Sequence, residues 1–176
     1  GQGLTPGGDV DVVMKDNGGT DPNAVINSVE IEPLENVRFD FGTPTSPVEA
    51  RYRRATNARY RPREGFGWTN GTVVTRDRAN ANNLVRDLVA TAEGTFVVDL
   101  PRGWYSIGVT LGDSSFAHDL MQVWIEGTKV GVYSTKAGEY VNASLYVEVT
   151  DGQLTVDLED VGGADPNVAV VSLYVQ

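Results

Sequence analysis

The sequence predicts an all-β protein, an antiparallel jelly-roll β-sandwich, on three observations. Apolar and polar residues alternate in short runs, Gly, Asp and Pro turns separate the runs at close spacing, and helical periodicity is confined to one short stretch. Val37–Phe41 places Val37, Phe39 and Phe41 on one face and Arg38 and Asp40 on the other. Thr95–Leu100 ends at Pro101, and the turn PRG leads into Trp104–Leu111. Leu120–Ile125 runs into the turn EGTK and then Val130–Tyr133. Tyr140–Thr150 is a long strand candidate, Asp151-Gly152 carries the strongest hairpin signal, and Leu154–Leu158 and Val168–Val175 close the chain. The helical stretch, around Asn83–Ala90, is short enough to be a strand.

A chain of 176 residues suits one domain with a sizeable core. Net charge is −10, which argues against nucleic acid as a partner, because a phosphate backbone requires a basic footprint. No apolar run reaches the roughly 20 residues of a membrane helix, so no membrane partner is expected. Zero cysteines exclude disulfides and thiolate chemistry. His118 is the single histidine, so neither a multi-histidine metal site nor a GxSxG-type triad is expected. The chain begins at Gly1 without Met or a signal-peptide pattern, and is read as a processed or excised piece.

The sequence nearly repeats itself at its two ends, with GGTDPN at residues 18–23 and GGADPN at 162–167. At an offset of 144, residues 12–31 match 156–175 at eight of 20 positions without a gap: Val12, Asp16, Gly18, Gly19, Asp21, Pro22, Asn23 and Ser28. The expectation is that residues 33–176 form one domain, and that residues 1–32 hold the tail strands of a preceding tandem copy or a strand-donating segment. Strands Val10–Met14 and Ala24–Ile31 would then pair with this domain or with a neighbouring chain.

Residues 43–82 read as a long ordered connection, and such loops on a rigid sandwich carry binding. Sugars are held by flat aromatic rings and by polar groups that read hydroxyls. Tyr52, Tyr60, Phe66 and Trp68 are the stacking candidates there, whereas Trp104 and Trp124, on strand candidates, are read as core. Six arginines, Arg51, Arg53, Arg54, Arg59, Arg61 and Arg63, could clamp uronate carboxylates or pair with the 24 acidic side chains. Arg76-Asp77-Arg78 is read as an internal salt bridge. Asp113, His118 and Asp119 form one polar cluster, and Asp157, Glu159 and Asp160 another. Asn70-Gly71-Thr72 and Asn142-Ala143-Ser144 are glycosylation sequons.

From Val37 onward, VRFDFGT, GFGW, RDRANANNLVRD, TFVVDLPRGWYSIGVTLGD, HDLMQVWIEG and TVDLEDVGGADPNVAVVSLYV follow in order. Together they resemble the galactose-binding-like β-sandwich domain attached to rhamnogalacturonan acetylesterases and polysaccharide lyases, a group similar to malectin and to carbohydrate-binding modules of families 6 and 35. The resemblance covers about residues 35–176 and is most specific over Thr95–Asp113. It implies a non-catalytic, secreted or cell-surface module that tethers an enzyme to polysaccharide. Asn167 sits in its closing motif, where Val168 stands in place of the family's tryptophan. The expected carbohydrate site is Tyr52, Tyr60, Arg61, Arg63, Trp68 and Asn167, with acidic polysaccharide as one ligand class. The resemblance also implies a structural calcium joining the first and last strands, held by Asp40 and Asp157. Neighbouring domains of the parent chain and strand-exchanged copies are the other expected partners. The alternative is an adhesive repeat without a sugar site, and a small lyase using Tyr and Arg is a third reading.

Overall fold

The computed structural model describes residues 36–176 together with Gly18 and Thr20. The two expected tail strands and the leading copy of the repeat, apart from Gly18 and Thr20, lie outside the described residues. Twelve strands follow in order: β1 Val37–Phe41, β2 Arg53–Ala55, β3 Phe66–Trp68, β4 Val74–Asp77, β5 Asp87–Thr91 and β6 Glu93–Asp99, then β7 Gly103–Gly112, β8 His118–Ile125, β9 Thr128–Thr135, β10 Tyr140–Val149, β11 Gln153–Asp160 and β12 Val168–Val175. The ambiguous stretch resolves into one 3₁₀ turn, Asn83–Val85, capped by the Asn82 side chain, and then β5. Among the described residues no helix is long and apolar enough to cross a membrane.

The strands form two sheets, as the predicted sandwich requires. One has seven strands, running β10-β7-β12-β1-β2, with β5 also on β12 and β4 on β5; the other runs β3-β6-β11-β8-β9. Pairing is antiparallel except for β1 with the short β2. Alternation puts Phe39, Phe41, Phe96, Ile107, Leu111, Met121, Val123, Leu154 and Leu173 between the sheets, each no more than 2 % exposed. An aromatic knot fills one part of this core: Phe96 lies 4.9 Å from Phe41 and 5.2 Å from Trp68, centroid to centroid.

Two features differ from the sequence reading. The Asp151-Gly152 turn reverses the chain, with Gly152 at φ 98°, but it is not a hairpin. β10 pairs with β7 in one sheet and β11 with β6 and β8 in the other, so the turn crosses the core. Turn chemistry fixes a reversal of direction; it does not choose the edge on which the next strand pairs. The 43–82 connection also carries strands, because β2, β3 and β4 are too short for alternation to register.

Candidate functional site

The outer face of the five-stranded sheet brings polar chemistry into ranks, because paired strands place facing residues side by side. Asp157 of β11 lies between Thr95 of β6 and Trp124 of β8, and Lys129 of β9 follows Trp124. In the next rank Glu159 lies between Glu93 and Gln122. Core residues Met121, Val123 and Ile125 alternate with Gln122 and Trp124, which turns the last two outward.

The groups are held in place before any ligand arrives. The Thr95 hydroxyl donates to Asp157 Oδ1 at 2.5 Å, and Gln122 Nε2 donates to Glu159 Oε2 at 2.9 Å. Asn70 Oδ1 accepts from the Thr95 amide at 2.7 Å, and Lys129 Nζ stands 6.0 Å from the Trp124 ring centroid. Asn70, Glu93, Thr95, Trp124, Asp157 and Glu159 line an open cleft of about 390 Å³. At the far end of the same face the Tyr60 hydroxyl donates to Asp99 at 2.9 Å, which pushes its phenol pKa up, and Gln153 Nε2 donates to the same carboxylate. A flat ring flanked by carboxylates and an amide is the chemistry that stacks a sugar and reads its hydroxyls.

The predicted site residues are not gathered in one place. Tyr52 stands beside the other sheet, near Arg38 and Tyr174, whereas Tyr60 lies against the five-stranded sheet. Arg61 and Arg63 are exposed, and Asn167 sits at the opposite end of the sandwich, its amide donating to Asp165. Trp68 is 1 % exposed and offers no ring face to a ligand; its Nε1 donates to the Thr56 carbonyl at 2.8 Å. The tryptophans have exchanged roles: Trp104, read as core, is 48 % exposed and stacks on Tyr146, and Trp124 is the partly exposed ring of the cleft.

Of the six arginines, three have internal engagements. Arg53 lies 4.5 Å from the Phe66 ring centroid, Arg54 donates to the Thr43 carbonyl and Arg59 to that of Gly71. Arg76-Asp77-Arg78 supplies two ion pairs, Arg78 with Asp113 at 2.7 Å and Asp77 with Arg86 at 3.0 Å.

The Asp40–Asp157 calcium pair does not form. Asp40 is on β1 of the seven-stranded sheet and Asp157 on β11 of the other, where Thr95 engages it. Among the described residues no group of three or more His, Cys, Asp or Glu is arranged to hold a metal.

A second polar cluster closes the loop end. His118 is 6 % exposed, with Nδ1 2.6 Å from Asp165 Oδ2 and Nε2 3.5 Å from Asp113 Oδ2. With both ring nitrogens turned to carboxylates, it has none left to activate a hydroxyl. Arg78 lies 4.6 Å from the centroid of the exposed Phe116 ring. Asp119 accepts the Ala164 and Asp165 amides, which hold its pKa below the ordinary carboxylate value. These contacts brace the 161–167 loop before the closing strand.

Comparison with known proteins gives the same architecture. Beta-agarase A of Zobellia galactanivorans is 36% identical over 135 residues, 73% of this chain and 24% of that protein. The crystal structure of YXIM from Bacillus subtilis superposes with a TM-score of 0.62 at 27% identity, over 81% of this chain and 40% of that one. A Bacteroides uniformis beta-glucuronidase shares the fold at a TM-score of 0.56 and 14% identity, over 80% of this chain and 18% of that one. This chain therefore spans only part of each of these proteins. The family model for the beta-agarase/YXIM esterase-like, galactose-binding domain-like proteins matches residues 37–176, so the sandwich from β1 to the last residue belongs to that family.

Proposed function

We propose that this chain is a non-catalytic carbohydrate-binding module of a secreted glycan-active protein, and that it takes a neutral, galactose-based polysaccharide on the outer face of the five-stranded sheet. The observation that carries the reading is Trp124, a partly exposed ring set between Asp157 and Lys129 with Gln122, Glu159 and Thr95 fixed around it. Ionised carboxylates accept hydrogen bonds from vicinal hydroxyls, and the ring covers the C–H face of the sugar. The choice of a galactose-based glycan rests on the family model's description as galactose-binding domain-like and on a relative named a beta-agarase.

The lining also favours neutral over acidic glycans. Glu93, Asp157 and Glu159 face the cleft with Lys129 the nearby cation, so a uronate would meet like charge. Arg61 and Arg63 are where an acidic polysaccharide would have to dock.

Calorimetric titration with neutral agaro-oligosaccharides tests the reading. Trp124→Ala is expected to cost about 2 kcal/mol of binding, roughly a thirty-fold loss of affinity. Affinity that survives in Trp124→Ala but falls in Arg61→Ala/Arg63→Ala, with polygalacturonate preferred, would replace it with the uronate reading. No retention on either glycan, together with concentration-dependent oligomers, would favour the adhesive repeat.

A further inference from the structure

The outer face of the seven-stranded sheet carries a second pair of rings, across the core from the cleft. Along β7 Tyr105, Ile107 and Val109 turn inward, so Trp104 and Ser106 turn outward. Along β10 Ala143 and Val149 are buried, whereas Ser144, Tyr146 and Glu148 are exposed. Register sets Trp104 opposite Glu148 and Ser106 opposite Tyr146, so the two rings take diagonal positions across the strand pair, which aromatic side chains can span. They stack with centroids 5.3 Å apart and planes at 23°, yet Trp104 stays 48 % and Tyr146 67 % exposed. Rings left so far in water add little burial to the fold. The stack orders both side chains in advance, which lowers the entropy that a ligand must spend on them.

The neighbours on this face decide what the rings suit. In the next rank but one from Trp104, Ser144, Gly108, Tyr174 and Arg38 lie side by side on β10, β7, β12 and β1. Gly108 gives the rank a flat floor: a Cβ there would stand 2.1 Å from the Tyr174 ring, whose hydroxyl is 3.4 Å from Asn142 Nδ2 of β10. Tyr174 and Arg38 continue, with Tyr52 and Gln176, into an open cleft of about 300 Å³. Rings are thus spread across four strands, about 14 Å, among the polar groups of Ser106, Asn142 and Ser144. The other exposed large apolar side chains among the described residues, Phe116, Leu120, Val132 and Val161, lie on the five-stranded sheet or in loops. The rings therefore have no contiguous apolar surround of the kind that the core of a protein interface needs. Flat rings set among hydroxyls and amides match a sugar chain, with its C–H faces and hydroxyl edges.

We propose that this face is a second glycan-binding site, so that one module holds two glycan chains on opposite sides. Trp104 and Tyr146 are the stacking platform, and Glu148, Asn142 and the Tyr174 hydroxyl read the sugar's hydroxyls. The proposal rests on the reading of the chain as a carbohydrate-binding module, but not on the Trp124 cleft. Glu148 at one end and Arg38 at the other carry opposite charges, which favours a neutral glycan here too. With one exposed carboxylate where the cleft has three, the platform binds more weakly than the cleft.

The test is an NMR titration of the whole chain with a neutral agaro-oligosaccharide, following the Trp104 and Trp124 indole N–H signals separately. The Trp104 indole and the Tyr146 amide should shift together and saturate at a higher sugar concentration than Trp124. Tyr146→Ala, a change at an exposed position, should weaken the Trp104 response roughly tenfold and leave the Trp124 curve in place. Trp124→Ala should leave the Trp104 curve in place. A Trp104 signal that moves while Trp124 does not would keep the platform and remove the cleft reading. A Trp104 signal still unmoved far beyond saturation of the cleft overturns the proposal, as does a Trp104 shift that vanishes in Trp124→Ala. So does a shift that follows protein concentration without sugar, which would make this face an interface between copies of the chain.

Discussion

Trp68→Ala is expected to destabilise the fold by about 3–5 kcal/mol, the range for truncating a large buried aromatic. The ring is 1 % exposed and belongs to the aromatic knot with Phe41, 6.1 Å away, and Phe96. It is held in orientation by Nε1–H to the Thr56 carbonyl, and Gly94 leaves room for it, since a Cβ there would lie 3.1 Å from the indole. The alanine variant leaves a cavity between β3 and the rest of the core and an unpaired carbonyl at residue 56. Trp68→Phe keeps most of the packing and loses the bond, so it should cost less, about 1 kcal/mol for the hydrogen bond beyond the lost ring atoms. Urea denaturation of both variants measures the difference. If Trp68 were a sugar platform, alanine would lower affinity and leave the urea midpoint in place.

Arg78→Ala is expected to have a comparable effect, about 3–5 kcal/mol, because it strands a buried carboxylate. Asp113 is fully buried and accepts from Arg78 through Nε at 3.0 Å and Nη2 at 2.7 Å. Burial alone would raise the Asp113 pKa; the Arg78 bonds, the Ser115 amide and His118 outweigh it and hold the pKa below the ordinary value of 3.8. A depressed native pKa gives stability that is present above the unfolded value and lost as pH falls through the native one. Without Arg78 the balance reverses. Burial then dominates, the pKa rises, and protonation on acidification relieves the stranded charge. The gap in stability between the two proteins should therefore narrow as pH is lowered from 7 toward 4, followed by denaturant titration at each pH. A gap that stays constant would mean that Arg78 acts through its packing on Phe116 and not through Asp113.

How much was legible follows from the length of each signal. β1, β6 to β12 and the sandwich itself were readable because each strand runs for five to ten residues, alternating as in β10 or continuously apolar as in β12. β2, β3 and β4, of three or four residues, give alternation too little to work on. Trp104 and Trp124 differ from the expectation for another reason. Residue type suggested burial for Trp104 and Trp124, but the parity of their own strands says otherwise. Tyr105 and Ile107 point in, so Trp104 points out; Val123 and Ile125 point in, so Trp124 points out. That signal was present in the sequence. The register that sets Asp157 between Thr95 and Trp124 was not, because it depends on which strands pair. The structural role expected for Arg76-Asp77-Arg78 was readable, since adjacent opposite charges at the end of a strand seldom stay unpaired.

A sugar bound as proposed lies on the outer face of the five-stranded sheet, around Trp124. Amide and indole N–H chemical-shift mapping during titration with a neutral agaro-oligosaccharide tests it most directly. The largest shifts are expected on Thr95, Gln122, Asp157, Glu159 and the Trp124 indole, neighbours in two adjacent ranks of one face. Shifts concentrated at the loop end, on His118, Lys136 and Asn167, or on Arg61 and Arg63, with Trp124 unmoved, would contradict it.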